Sequence, residues 1–382
     1  MCIRDSFYAA DPCTLSASIN LDTLWHLGWF LQDGDEVRPS WAGFNSSVVR
    51  GNRVQSSDIQ LQPVIDRNPN DPPCIYSTLV FVAKESEKLG MQTAVITFDQ
   101  PLWLKAVNIV NTYGLNVVCR LGAFHLQMSF LGSLGTLMSG SGLSDIMECC
   151  YGPNTVRHIM SGKAVARAVR AHCMVEAALT VMLLKLIFST GPFSQDMSDL
   201  RTFYSYLLNN GFDDQMAFPA GLCNIEDALV DLKRDLSQKS RTAKLWLQYL
   251  YYVSTLKLLL RAERMADWQL HLVSIRRMIN LFAATGHANY AKCGRLYIEM
   301  MTDLPDTHPD LYEQFMVGAH IARRSNKLWG GLSVDVTIEQ ALMRAVKGRG
   351  GLTHGRGVTE SVRTTWIASV HKTGAVKTLS KL

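Results

Sequence analysis

Asp99 closes TAVITFDQ (Thr93 to Gln100), a short β-branched run of the kind that makes a buried strand in a parallel sheet. An unpaired carboxylate inside such a sheet is costly. Asp99 therefore either emerges at the strand's end, where it can hold a cation, or caps the helix that Pro101 opens. A second acid, Glu339, lies in the helical pattern SVDVTIEQALMRAVKG, four residues after Asp335. That spacing puts both on one helical face, beside the apolar row Ile338, Leu342 and Ala345. Acids bordering a docked face can be aimed inward at a metal; the alternatives are solvated surface acids, or, for Asp335, a favourable place at a helix N-terminus. His125 follows the next strand and could orient a carboxylate or touch substrate, with a hydrogen-bonded structural role as the alternative. KGRGGLTHGRG (Lys347 to Gly357) mixes Lys347, Arg349, His354 and Arg356 with glycines that let backbone N–H groups approach an anion. Such a segment either contacts a nucleic-acid backbone or serves as a flexible tether.

The elements that must position these residues change texture once along the chain. Up to about Phe130, strand-like runs alternate with helical ones. IQLQPVID (Ile59 to Asp66) reads as a strand stopped by the turn cluster RNPNDPP. STLVFVAKESEKLG follows as a helix, with Ser77 as its N-cap and Gly90 as its stop. The Asp99 strand, the helix LWLKAVNIVNTYG ending at Gly114 and the strand NVVCRLGAFH (Asn116 to His125) complete an α/β alternation. In such sheets reactive groups gather at the carboxyl ends of strands. From Leu126 to Gly330 the patterns are helical, with a long amphipathic stretch from Ala164 to Phe188 and one or two more from Lys244 to Phe282. The aromatics Trp246, Tyr249, Tyr252 and Trp268 at helical spacing read as core packing. Leu304 to Pro309, with two prolines, reads as a loop. GSLGTLMSGSG (Gly132 to Gly142) permits tight helix contact and a turn, but lacks the Gly-Lys-Ser/Thr ending of a phosphate loop.

Composition limits the classes. The 382 residues are 47% hydrophobic and 19% charged, which suffices for a large core and argues against disorder. Two domains, or one with a large insertion, are expected. The net charge of +5 is mild, but from His320 onward eleven Lys or Arg face only Asp335, Glu339 and Glu360. The basic excess therefore sits at one end, where phosphate contact is expected, and the rest is net negative. Nine cysteines without a C-x-x-C pair fit buried free thiols in a reducing compartment better than a disulfide scaffold or a zinc cluster. The most apolar run, Met174 to Phe188, is short and carries Glu176 and Lys185, so no membrane span is expected, and the N-terminus lacks a secretory signal. An intracellular protein is the expectation. The opening MCIRDS resembles a translated sequencing adapter, so Met1 is expected not to be a biological start and the chain to be an N-terminally truncated fragment.

At FDQPLWLKA, LGAFHLQMSFLGSLGTLMSGSGL, YGPNTVRHIMSGKAVARAVRAH and DVTIEQALMRAVKGRGGLTHGRG the chain resembles a family of large, uncharacterised, transposon-derived eukaryotic proteins, and more distantly transposase-like proteins of fungi. That resemblance implies a partial RNase H-like α/β core of the DDE-transposase type, interrupted by a large helical insertion, in a chain that is mostly helical overall. Such cores use clustered carboxylates because two divalent ions, about 3.5–4 Å apart, activate the attacking oxygen and stabilise the leaving one. Mapped by the resemblance, Asp99 matches the second acid and Glu339 the third, and both would bind Mg²⁺ or Mn²⁺. No acid plainly fills the first-strand position; Asp66 is a stand-in. The implied plan is an irregular segment at 1–58, the partial core at 59–130, the helical insertion at 131–330, a core-returning helix at 331–348 and a basic Gly-rich tail at 349–382. The intact form is expected to bind DNA through Lys347, Arg349 and Arg356, to hydrolyse or transfer phosphodiester bonds, to reside in the nucleus and to be compatible with homo-oligomerisation, while the fragment itself turns over negligibly. The rival is a non-catalytic, domesticated or decayed interaction protein with the same fold.

Overall fold

The structure, a computed structural model, describes residues 12–32, 38–50, 54–60, 65, 67–212 and 216–337. In chain order these form α1 (Pro12–Leu31), α2 (Trp41–Val48), α3 (Pro72–Lys88), β1 (Ala94–Phe98), α4 (Gln100–Tyr113), β2 (Val117–Leu121) and α5 (Ala123–Leu137). There follow α6 (Leu143–Glu148), α7 (Pro153–Met160), α8 (Val165–Thr190), α9 (Ser194–Asn210), α10 (Ala220–Lys239), α11 (Arg241–Met265) and α12 (Trp268–Ala284). The last are α13 (Ala288–Thr302), α14 (Leu304–Thr307), α15 (Pro309–Met316), the two-residue strands β3 (Ala322–Arg323) and β4 (Gly331–Leu332) with a 3₁₀ turn at Leu328–Gly330 between them, and α16 (Val334–Val336). The protein is mostly helical, as expected.

The chain divides into two compact units. One comprises residues 1–54, 126–319 and 326–331, the other 55–125, 320–325 and 332–382, with the boundary inside α5. The expected irregular segment at 1–58 is corrected by α1 and α2, which belong to the helical unit. In α1 the apolar residues spread around much of the helix, so no narrow stripe advertises it, yet Leu21, Leu24, Trp25, Leu27 and Leu31 are all buried. The proline-bearing stretch from Leu304 is likewise not a loop. Pro305 and Pro309 stand in the first turns of α14 and α15, where a missing N–H costs nothing. The same rule moves the start of α3 from Ser77 back to Pro72, and Ser77 Oγ donates within that helix to the Pro73 carbonyl.

In the second unit β1 and β2 pair in parallel, from Ala94 opposite Val117 to Phe98 opposite Leu121. The intervening α4 is capped at its start by Asp99 and ends at Gly114 in the left-handed region, at φ 60°. Trp103 of α4 is fully buried and its indole N–H donates 3.0 Å to the Cys119 carbonyl, fixing the helix to β2. All five residues of β2 are buried, whereas β1 is half-buried beyond Ala94. Residues 54–60 make no strand ladder, and most of the expected strand at 59–66 lies outside the described residues. Ile59 and Ile65 are exposed, and the segment is tied instead by Ser57, whose N–H donates 2.9 Å to the Arg323 carbonyl. Asp66 lies outside the described residues.

The helical unit closes around buried charge. Asp22 on α1 accepts from the Trp41 indole at 2.7 Å and from Arg261, and lies 3.3 Å from Lys257. Lys257 also donates 3.0 Å to Glu176 of α8, whose other oxygen is 3.1 Å from His26 Nε2. All five charged or titrating side chains are buried, and Lys257 and Arg261 are each 1% exposed. Desolvation of this size is offset only by several partners per charge, which this cluster supplies. Burial would raise the Glu176 carboxyl, but His26 and Lys257 outweigh it and hold the group at about 2. Burial also opposes charge on Lys257, yet Asp22 and Glu176 raise it.

By length and composition alone α8 could cross a membrane, but 56% of its most apolar window is buried within the protein and Glu176 is committed to the ion cluster. The aromatic row behaves as packing: Tyr249 and Trp268 are buried, and Tyr249 Oη is 2.9 Å from His172 Nδ1. The thiols are mixed rather than uniformly buried. Cys119, Cys173 and Cys293 are buried, while Cys149, Cys150 and Cys223 are exposed, all as free cysteines.

Two outcomes follow from the buried charges. Lys257→Met should lower the free energy of urea unfolding by about 3–5 kcal/mol, because it takes from Asp22 and Glu176 the buried cation they share; a loss under about 1 kcal/mol would show that cation to be dispensable. Stability should also fall with acid in two stages. Burial holds His172 down at about 4 against its usual 6.5, so between those values the unfolded chain takes a proton the folded ring refuses, and stability declines as pH drops. The Glu176 contribution, complete above 4.5, is lost as pH falls toward 2. His172→Gln should flatten only the upper stage in a pH series of melting temperatures.

Candidate functional site at the carboxyl edge of the strand pair

Both strands release the chain at the same edge. Asp99 follows β1 directly, is half-buried, and uses Oδ1 to accept from the Leu102 N–H at 3.2 Å. The capping alternative is thus realised, with Pro101 at the start of α4. Beside it, Gly122 follows β2 and donates 2.8 Å to the Phe98 carbonyl, extending the ladder one residue. Then α5 begins.

Helix α5 has no acid in its first turn, so its N–H groups have no local carboxylate. The acid arrives from Asp335, more than 200 residues later. Its Oδ2 accepts from the Phe124 N–H at 2.9 Å and the His125 N–H at 3.3 Å, and stands 3.4 Å from His125 Nδ1. Asp335 is 7% exposed. The contact depends on Gly122: a Cβ there would overlap Asp335 Oδ2 and approach the Phe98 carbonyl oxygen to 3.2 Å. Asp335 therefore sits over the point where β1 and β2 end together.

These distances assign roles. Asp335, expected as an additional catalytic acid or as a residue favouring its own helix N-terminus, is the cap of a helix far earlier in the chain. His125 is half-exposed and oriented by that cap. Asp99 shares the edge as a cap with one oxygen committed. Asp66, Glu339, Lys347, Arg349 and Arg356 lie outside the described residues, as does nearly all of the expected helix at 331–348 beyond α16 and the whole tail at 349–382. Among the described residues no three His, Cys, Asp or Glu side chains converge as a metal site. Sequence reasoning missed two supports. One is Gly122; the other is Arg120, a cation inside the apolar run VVCRL, which is buried and donates to the His320 carbonyl, pinning the returning chain to β2. A charge within a buried strand was the available signal.

The family described as Domain of unknown function (DUF8702) matches residues 40–381, and the chain belongs to that family. No curated protein and no solved structure matches the chain.

The Asp335 clamp is testable by a double-mutant cycle. Asp335→Ala should cost about 1–2 kcal/mol by uncapping α5. Gly122→Ala should also destabilise, but less so in the Asp335→Ala background, where the space for the new Cβ has opened. Strictly additive losses in thermal melts would show that the two residues do not share one contact.

Proposed function

We propose that this member of the DUF8702 family is a transposase-like protein with an RNase H-like core interrupted by a helical insertion, which binds DNA in the nucleus and carries out Mg²⁺- or Mn²⁺-dependent phosphodiester hydrolysis or strand transfer. One observation carries the reading: after the helical segments, the chain comes back to the carboxyl edge of the parallel pair β1–β2 and anchors an acid there, Asp335. A core interrupted by an insertion requires such a return.

Asp99 and Glu339 are the residues that would hold the metal, with Asp66 a further candidate. The described residues alone do not make up a divalent site, because Asp335 spends its oxygen on backbone N–H groups and Asp99 stands without a second free acid. When bound, the ion would neutralise charge developing on the phosphodiester oxygens. The chain's own part is positional. Asp335 sets the first turn of α5 and presents His125 at the edge, and Lys347, Arg349 and Arg356 supply cations for phosphate.

A second reading, a non-catalytic interaction protein on the same scaffold, is favoured by the capping duty of both described acids. Two measurements on the full chain separate them. For the first, Mn²⁺ titrations should show binding that weakens at least about tenfold in both Asp99→Asn and Glu339→Gln; unchanged affinity in both variants would leave the interaction protein. DNA binding should weaken steeply with added salt, and Arg349→Ala and Arg356→Ala should each lower the salt slope by about 1. Salt-independent binding would overturn the phosphate role.

A further inference from the structure

The glycine-rich and YGPNTVRHIMSG segments, which the reading above does not use, come together in the helical unit. They form the walls of a cleft of about 710 Å³ between α5, α6 and α7, closed on one side by His287 at the start of α13. That volume lies within the range of small-molecule sites, roughly 300–1,000 Å³. Glycine makes the walls approach. A Cβ at Gly135 would overlap the Met160 carbonyl oxygen, and Gly162, at φ 73°, lies against the carbonyl of Met128. The shape of the cleft thus follows from backbone contacts that other residues would prevent.

Its lining mixes polar and apolar groups. Thr136, Ser139 and Ser144 contribute hydroxyls, Arg157 a cation and Glu148 the single acid, beside Pro153, Val156 and Met160. Arg157 is exposed and places one amino group 2.9 Å from Asn154 Oδ1, so its fork has further donors for a bound anion. His287 is held more firmly. Its Nδ1 is 3.0 Å from the buried Ser133 Oγ and 3.1 Å from Thr285 Oγ1. Thr285 gives its own proton to the Leu281 carbonyl at 2.8 Å, so toward the ring it can only accept. Nδ1 is thus engaged by both hydroxyls, and Nε2 is the other ring nitrogen. It lies beside Gly132, where even a Cβ would stand only 3.8 Å away, and Gly132 lines the cleft.

We propose that this cleft binds a phosphomonoester carried on a pentose. A phosphomonoester has its second ionisation near pH 6, so near neutrality it presents three terminal oxygens with nearly two negative charges to the remaining Arg157 donors, beside His287. A phosphodiester carries a single charge on two such oxygens. The serine and threonine hydroxyls and Glu148 suit the sugar, and the exposed Pro153 gives an apolar rest for a base. This chemistry could come from a free mononucleotide or from the 5′-phosphorylated end of a nucleic-acid strand.

The test is calorimetric titration of the full chain with adenosine monophosphate, ribose 5-phosphate, adenosine, and a single-stranded oligonucleotide with and without a 5′-phosphate. Both phosphorylated small molecules should bind and adenosine should not. Arg157→Gln, at an exposed position that leaves the melting temperature unchanged, should weaken binding about tenfold or more, which is the size of one charge-assisted contact. His287→Asn should do the same, checked against its melting temperature because it also touches Ser133. If the oligonucleotide binds more tightly only when phosphorylated, the strand end is the source; equal binding of both oligonucleotides alongside the mononucleotides assigns the free nucleotide. Absence of binding by every phosphorylated probe, or binding that Arg157→Gln leaves unchanged, overturns the proposal. Neither variant touches Asp99 or Glu339, so its failure is separate from that of the nuclease reading.

Discussion

A helix that begins immediately after a strand, without an acid of its own, must have its first N–H groups satisfied from somewhere else. In this protein that requirement falls on Asp335, and much of the α/β unit follows from it. The carboxylate can reach Phe124 and His125 only because Gly122 has no side chain and because the chain from residue 332 onward is brought to the strand ends. The Arg120 side chain, bound to the His320 carbonyl, holds an earlier part of the same returning chain. Two long-range contacts thus close a unit whose strand pair is only two members wide among the described residues.

The helical unit solves a different problem by similar means. It buries two carboxylates and two cations where an all-apolar core would serve stability equally well. The arrangement gives direction that greasy contacts lack. Asp22 has room for both the Trp41 indole and Arg261, and Lys257 bridges two acids on different helices. Helices α1, α2, α8 and α11 therefore meet in one register, and a rotated packing would leave charge unpaired.

How much of this was legible depends on whether the signal was local. The run TAVITFDQP announced a strand, an acid and a helix start, and β1, Asp99 and α4 appear as read. The long helix near Ala164 was equally visible in periodicity, whereas between Lys244 and Phe282 the pattern left one or two helices open and the chain forms two, α11 and α12, parted at Ala266 and Asp267. Prolines misled, because the same residue breaks a helix interior and opens a helix first turn, and only context distinguishes Pro305 or Pro72 from a loop. Asp335 could be read as an exposed acid or as a residue of its own helix. That it caps a helix 210 positions earlier is a fact of three-dimensional return, which no local spacing encodes. Glu176 was noticed only as a reason against a membrane span; its partners lie 150 positions upstream and 81 downstream.

That wide separation also fixes an order of events at the ribosome. Asp22 and Glu176 emerge long before Lys257 and Arg261, so the two cations that α11 supplies are the last members of the cluster to be made. Docking α1 on α8 without them would bury two carboxylates with His26 and Trp41 as their remaining partners, so burial of this polar centre is favourable only once α11 is present.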